Sequence, residues 1–179
     1  DPSIISILGE PASKANSRRL VLIGGKPRFI KSKKALGYAK DFKKQCPVRK
    51  ELFEEDVFVA IKIYYASRRP DLDASLLLDL LQDCVYPNDR LVKGQYLEWG
   101  LDRDNPRSII VVTTLDRKDL ALTILSDLVS DRDILEMDLN YVLNKDDKKS
   151  SEKKHDFNEI LGKIVNTNNK IKTLTEYLS

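Results

Sequence analysis

Asp71 and Asp73 stand in the run Arg-Arg-Pro-Asp-Leu-Asp at 68–73, and Asp89 follows in Tyr-Pro-Asn-Asp at 86–89. In an extended segment residues i and i+2 point to the same side, so Asp71 and Asp73 can present two carboxylates to one site. Asp89 joins them only if the chain folds back after the intervening segment. Three carboxylates form a hard-oxygen set suited to Mg²⁺ or Mn²⁺. Such an ion polarises a phosphodiester and activates water for hydrolysis. The same residues admit a plainer role: Asp at 71 and 73 can cap the helix expected from Ala74. Asp79 and Asp83, one helical turn apart, face either that site or solvent. Histidine and thiol chemistry have little material here, because His155 is the only histidine and Cys46 and Cys84 the only cysteines. Two cysteines are too few for a disulfide framework or a cysteine-rich zinc site, and a reducing compartment is expected.

The net charge of +3 is modest, but its distribution is uneven. Between Pro11 and Lys50 there are 13 Lys and Arg residues and a single anion, Asp41. A block of one sign attracts polyanions or is a solvated basic face. It falls within segments that read as folded elements rather than a tail, which favours nucleic-acid binding through neutralised phosphates. Within it, Arg18, Arg19, Lys26, Arg28, Lys31, Lys33 and Lys34 are the candidates for contacts with a nucleic-acid backbone.

The elements that must position these groups can be read from periodicity. Residues 3–8 and 19–23 read as strands, and Gly24-Gly25 as the tight turn leading to a partner strand at 28–31. Ser32 is a helix N-cap, with Ala35, Tyr38, Ala39 and Phe42 on one face, and Cys46-Pro47 ends that helix. Residues 56–66 carry the strongest strand signal, with Val57, Val59, Ile61, Ile63 and Tyr65 alternating. The Leu-rich stretch 74–85 predicts a helix, 86–89 a turn, and 91–99 and 108–115 two more strands. An α+β domain with a mixed sheet and packed helices follows.

The 179 residues, 41% hydrophobic and 33% charged, suffice for one or at most two domains with a modest core. No apolar run reaches the roughly 18 residues of a spanning helix, so no membrane association is expected. The chain opens Asp-Pro-Ser without a secretory leader pattern, and the absent initial Met reads as trimming or as a chosen expression boundary. A cytoplasmic location, in a bacterial host if phage-encoded, is the expectation.

Arg-Pro-Asp-Leu-Asp at 69–73, the Leu-rich helix and Val-Tyr-Pro-Asn-Asp-Arg at 85–90 together resemble the RusA family of Holliday junction resolvases, its phage-type branch most of all. Gly9-Glu10-Pro11, Asn16-Ser17-Arg18-Arg19, Gly25-Lys26-Pro27-Arg28-Phe29, Gly100-Leu101-Asp102 and Asn105-Pro106-Arg107 extend the resemblance, in order, over roughly residues 3–115. It implies a homodimeric, Mg²⁺-dependent endodeoxyribonuclease that cuts branched DNA symmetrically in recombination, repair or phage replication. It also implies that Asp71, Asp73 and Asp89 are the catalytic metal ligands and displaces the capping role. A four-way junction suits a two-fold dimer. The chain departs from better-known members at Ala74, where they place Asn, at Leu77, where they place Lys, and at Asn88-Asp89, where some carry Asp-Asp. Arg69 and Lys93 are the candidates to supply the missing cation and to contact DNA.

Residues 116–179 lie outside the resemblance, and a domain boundary is expected at 115. Helices are predicted over 116–129 and 134–143, a charged linker near 145–154, and a last apolar helix stripe from Phe157 to Leu178. This helical extension strengthens the dimer, binds a protein partner, or is foreign sequence joined to the domain. A rival to the nuclease reading is a branched-DNA or protein-binding adaptor that works mainly through this tail.

Overall fold

The computed structural model describes residues 1–129. Its elements in chain order are β1 (Ser3–Leu8), β2 (Arg18–Ile23), β3 (Lys26–Lys31), α1 (Lys33–Gln45), β4 (Val57–Tyr65), α2 (Ser75–Leu80), β5 (Val92–Leu101) and β6 (Arg107–Thr114). A final helix, α3, begins at 118 and continues through 129. Short 3₁₀ turns at Asp89–Leu91 and Leu115–Arg117 lead into β5 and α3. The architecture is α+β: a mixed four-stranded sheet in the order β1-β6-β4-β5, with β2 and β3 forming a separate two-stranded hairpin. β4 runs parallel to β5, and the other pairings in the larger sheet are antiparallel.

β4 is buried along its whole length, so it needs apolar side chains on both faces rather than on one. Val59, Ile61, Ile63 and Tyr65 face a core completed by Ile5, Ile7, Ile110 and Val112 of the flanking strands. Ala35, Tyr38 and Phe42 of α1, and Leu76, Leu77 and Leu80 of α2, close that side. Phe58, Ala60 and Tyr64 point the other way, with Ile4, Ile109 and Val111, onto Ala121, Leu125, Leu128 and Val129. The first turns of α3 therefore cover the second face of the sheet. The boundary expected at 115 falls inside this packing, and the described body runs through Val129. The predicted segments beyond it lie outside the described residues.

Several local signals act as the sequence suggests. The Ser32 hydroxyl accepts the Ala35 amide as the N-cap of α1, and the chain leaves the helix at Cys46 ahead of Pro47. Gly24 and Gly25 both take positive φ, 57° and 74°, as the hairpin turn demands. The helix predicted over 74–85 is shorter, however, and ends at Leu80. Asp83 adopts φ 63° and its amide donates to the Tyr86 carbonyl, so 81–86 closes as a compact turn. Buried Leu81, Val85 and Tyr86 hold that turn against the core, and this tertiary packing outweighs the leucine periodicity. Cys46 and Cys84 are free; burial, and then the neighbouring Cys84, push the Cys46 thiol up.

Two motifs carried by the resemblance have structural duties. Buried Arg107 pairs with Asp102 at 2.6 Å and lies over the Tyr64 ring. The Asp102 carboxylate also accepts the amides of Asp104 and Asn105, which closes the loop between β5 and β6. The Pro106 carbonyl then receives the amide of Gly9, whose φ of 102° turns the chain out of β1. No described helix is long and apolar enough to cross a membrane.

Leu77, where the family resemblance leads one to look for lysine, is fully enclosed among core side chains. Leu77→Lys should lower the unfolding free energy by about 3 kcal/mol or more, whereas Leu77→Met should cost less than about 1.5 kcal/mol. Denaturant titration of both variants checks this; a well-tolerated lysine would mean that position 77 opens towards solvent.

Candidate functional site

The loop after β4 is pinned from below by two aromatic side chains. The Tyr65 hydroxyl donates to the Asp71 carbonyl at 3.1 Å and accepts the Asp73 amide at 3.2 Å. Trp99 of β5 stacks on Tyr65, with ring centroids 6.0 Å apart, and its indole N–H donates to the Pro70 carbonyl. Burial is the main reason the Tyr65 phenol is raised above its ordinary range. The acidic charges of Asp73, Glu10 and Asp71 add to that rise, and the Asp73 amide opposes it. The phenol therefore stays protonated and keeps donating.

Opposite this loop runs the strap of residues 9–17. Glu10 accepts the Ala66 amide at 2.9 Å and lies 3.7 Å from the Lys34 ammonium. The amide of Lys14 donates to one oxygen of Asp73. Strap and loop enclose a cavity of about 620 Å³ lined by Glu10, Asp71 and Asp73 together with Lys14, Lys34 and Arg69. The second oxygen of Asp73 accepts both the amide and the hydroxyl of Ser75, at 2.9 and 2.6 Å. Burial alone would raise the Asp73 carboxyl. The Ser75 groups, the Lys14 amide and the Lys14 charge outweigh burial and hold it below the usual carboxylate range. Asp73 does bond to the first residue of α2, so the capping role has substance, although Ala74 occupies the N-cap position itself.

Asp89 stands elsewhere. Its neighbour is Asp79 on α2. Burial first, then the charge of Asp89 and a hydrogen bond to it, raise the Asp79 carboxyl. Lys31 and Arg18 of the hairpin partly offset that rise. Asn88 accepts the Arg90 amide at 2.9 Å and so caps the turn that carries Asp89. Asp83, in its left-handed turn, does not lie on α2. The three expected ligands thus divide into two in the cavity and one beside Asp79. Among the described residues, no three His, Cys, Asp or Glu side chains gather closely enough to hold one metal ion.

The cations sort by position. Arg18, Arg19, Lys26, Arg28 and Lys31 belong to the hairpin, and Lys33 and Lys34 open α1. Arg69 borders the acidic cavity. Lys93 lies at the start of β5, paired there with the start of β4, whereas the acidic loop leaves the end of β4. The structure puts Lys14 where a compensating cation is needed instead. Arg49 of the basic block is a structural tie, donating to Asp1, Ser3 and Glu51 and covering the Phe53 ring.

Sequence reasoning passed over Glu10, Lys14 and Tyr65. Glu10 was visible only as part of a Gly-Glu-Pro motif, Lys14 as one of many cations, and Tyr65 as one beat of an apolar alternation. No protein-family model matches the chain, and no curated protein matches it.

Because Asp79 ionises less readily in the folded chain than in the unfolded one, its negative charge destabilises the fold. That cost is absent below the ordinary carboxylate range and complete once pH has risen through the raised folded value. Asp79→Asn should therefore melt above the parent near neutral pH, with the difference vanishing in acid. Thermal denaturation across pH in the presence of chelator reads this; a gap that persists unchanged into acid would contradict it.

Proposed function

We propose that this chain is a RusA-like, Mg²⁺-dependent, structure-selective endodeoxyribonuclease acting on Holliday junctions and other branched DNA. The observation that carries the reading is one cavity in which the carboxylic side chains of Glu10, Asp71 and Asp73 meet Lys14, Lys34 and Arg69, with Asp73 held ionised, beside a cationic hairpin. The donor chemistry fits the ion. Mg²⁺ commonly keeps several waters and takes only one or two protein carboxylates together with substrate phosphate oxygens, so a three-carboxylate cage is not required. Asp71 and Asp73 would hold it. When bound, the ion supplies an acidified water and neutralises charge on the phosphate.

The chain's own groups do the rest. Tyr65 and Trp99 hold the acidic loop in place, and Ser75 with the Lys14 amide keeps Asp73 ionised and oriented. Lys14, Lys34 and Arg69 draw the scissile phosphate towards the carboxylates, which would otherwise repel it. The hairpin cations and Lys33 bind flanking phosphates, so affinity falls steeply as salt rises. Asp89, paired with Asp79, contributes as a second acidic position near the hairpin rather than inside the cavity. A homodimer presenting two such sites to a two-fold junction, in recombination, repair or phage replication, completes the reading.

Asp73→Asn should bind a labelled four-way junction within about threefold of the parent yet cleave it at least about 100-fold more slowly with Mg²⁺. Chelator should abolish parental cleavage. Normal cutting by this variant would defeat the assignment.

A further inference from the structure

The β2–β3 hairpin is exposed at nearly every position, yet it carries large apolar side chains. Leu20 is 59% exposed, Leu22 74% and Phe29 72%. Cross-strand register pairs Leu20 with Phe29 and Leu22 with Pro27, which places all four on one face of the ribbon. A contiguous apolar face held out in water marks an interaction surface. We propose that this face stacks against unpaired nucleobases at the branch point of the substrate, an inference that rests on the nuclease reading above.

Charge decides the occupant. From Arg18 to Lys31 the hairpin has five cations and no anion. The register puts Arg18 and Lys31 on the apolar face and Arg19, Lys26 and Arg28 on the other, so a second copy docked face to face would set like charges together with no hairpin anion to answer them, which disfavours self-association through this ribbon. Single-stranded nucleic acid meets both halves of the surface, because its phosphates answer the cations and its bases offer flat π faces to an aromatic side chain. Bases in an intact duplex are already stacked on one another and cannot reach Phe29. Bases loosened at a junction can.

Position supports the same assignment. Phe29, Arg18 and Lys31 line a second cavity, of about 530 Å³, with Asp79 and Ser75. Lys14 and Ala15 border both this cavity and the acidic one. A base seated on Phe29 therefore leads its own backbone along Lys14 towards Asp71 and Asp73. The hairpin thereby becomes the element that distinguishes branched from linear DNA, whereas the acidic cavity does the cutting.

The test uses the full chain in chelator, so that cleavage plays no part, with a four-way junction carrying 2-aminopurine at the branch point and a linear duplex of the same sequence. The parent should raise the 2-aminopurine fluorescence. Phe29→Ala should remove most of that rise and weaken junction binding about 5- to 100-fold, while duplex binding stays within about twofold. Phe29→Tyr, which keeps a ring, should restore both. Equal losses on the two DNAs, or unchanged fluorescence with Phe29→Ala, would overturn the proposal. A changed mass by sedimentation in Phe29→Ala would overturn it too, by showing that the face joins copies of the chain. If the parent bound neither DNA, the nuclease reading itself would fail, and that result is distinct from all the others.

Discussion

The hydroxyl of Tyr65 is the hinge between fold and site. It sits at the end of a strand buried on both faces, so the core fixes its position. From there it holds the Asp71 carbonyl and the Asp73 amide at once, which few side chains other than a phenol can do. The loop between β4 and α2 has little apolar content of its own and would otherwise wander. Trp99 stiffens the arrangement from the neighbouring parallel strand by stacking on the phenol and bonding to Pro70. The rigidity of the sheet is in this way passed to two carboxylates that lie beyond it.

Two like charges in one cavity repel each other, and partial burial adds to the cost at Asp73. The strap of residues 9–17 answers with amides and ammonium groups rather than with a distant field. Lys14 contributes both, through its amide and its side chain, and the Ser75 hydroxyl supplies a further donor. Asp79 receives less relief. Its cations, Lys31 and Arg18, reach it from the hairpin, and it remains hard to ionise. Asp73 is thus held ionised, whereas Asp79 is shifted towards its protonated form.

The strands and α1 were legible because their signals are local: alternation, a Gly-Gly turn, a Ser cap and a Cys-Pro stop. The length of α2 was not, because the leucines at 80 and 81 continue a helical rhythm while the backbone turns at Asp83 to seat Val85 and Tyr86. Where Asp89 goes depends on how the chain folds back after α2, which no local signal records. Asp71 and Asp73 were legible as a pair from their i, i+2 spacing. Glu10 and Lys14 were not, since contact across 56 and 59 residues leaves no trace in periodicity. The role of 118–129 was hidden for a similar reason. Its apolar stripe announced a helix, but only the second face of the sheet shows what that stripe covers.

Anomalous diffraction from a crystal of the full chain equilibrated with Mn²⁺ tests the central claim most directly. The account predicts a peak between the Asp71 and Asp73 carboxylates, at the mouth of the cavity that Lys14 borders. A peak confined to Asp79 and Asp89, or no peak near any of these aspartates, would contradict it.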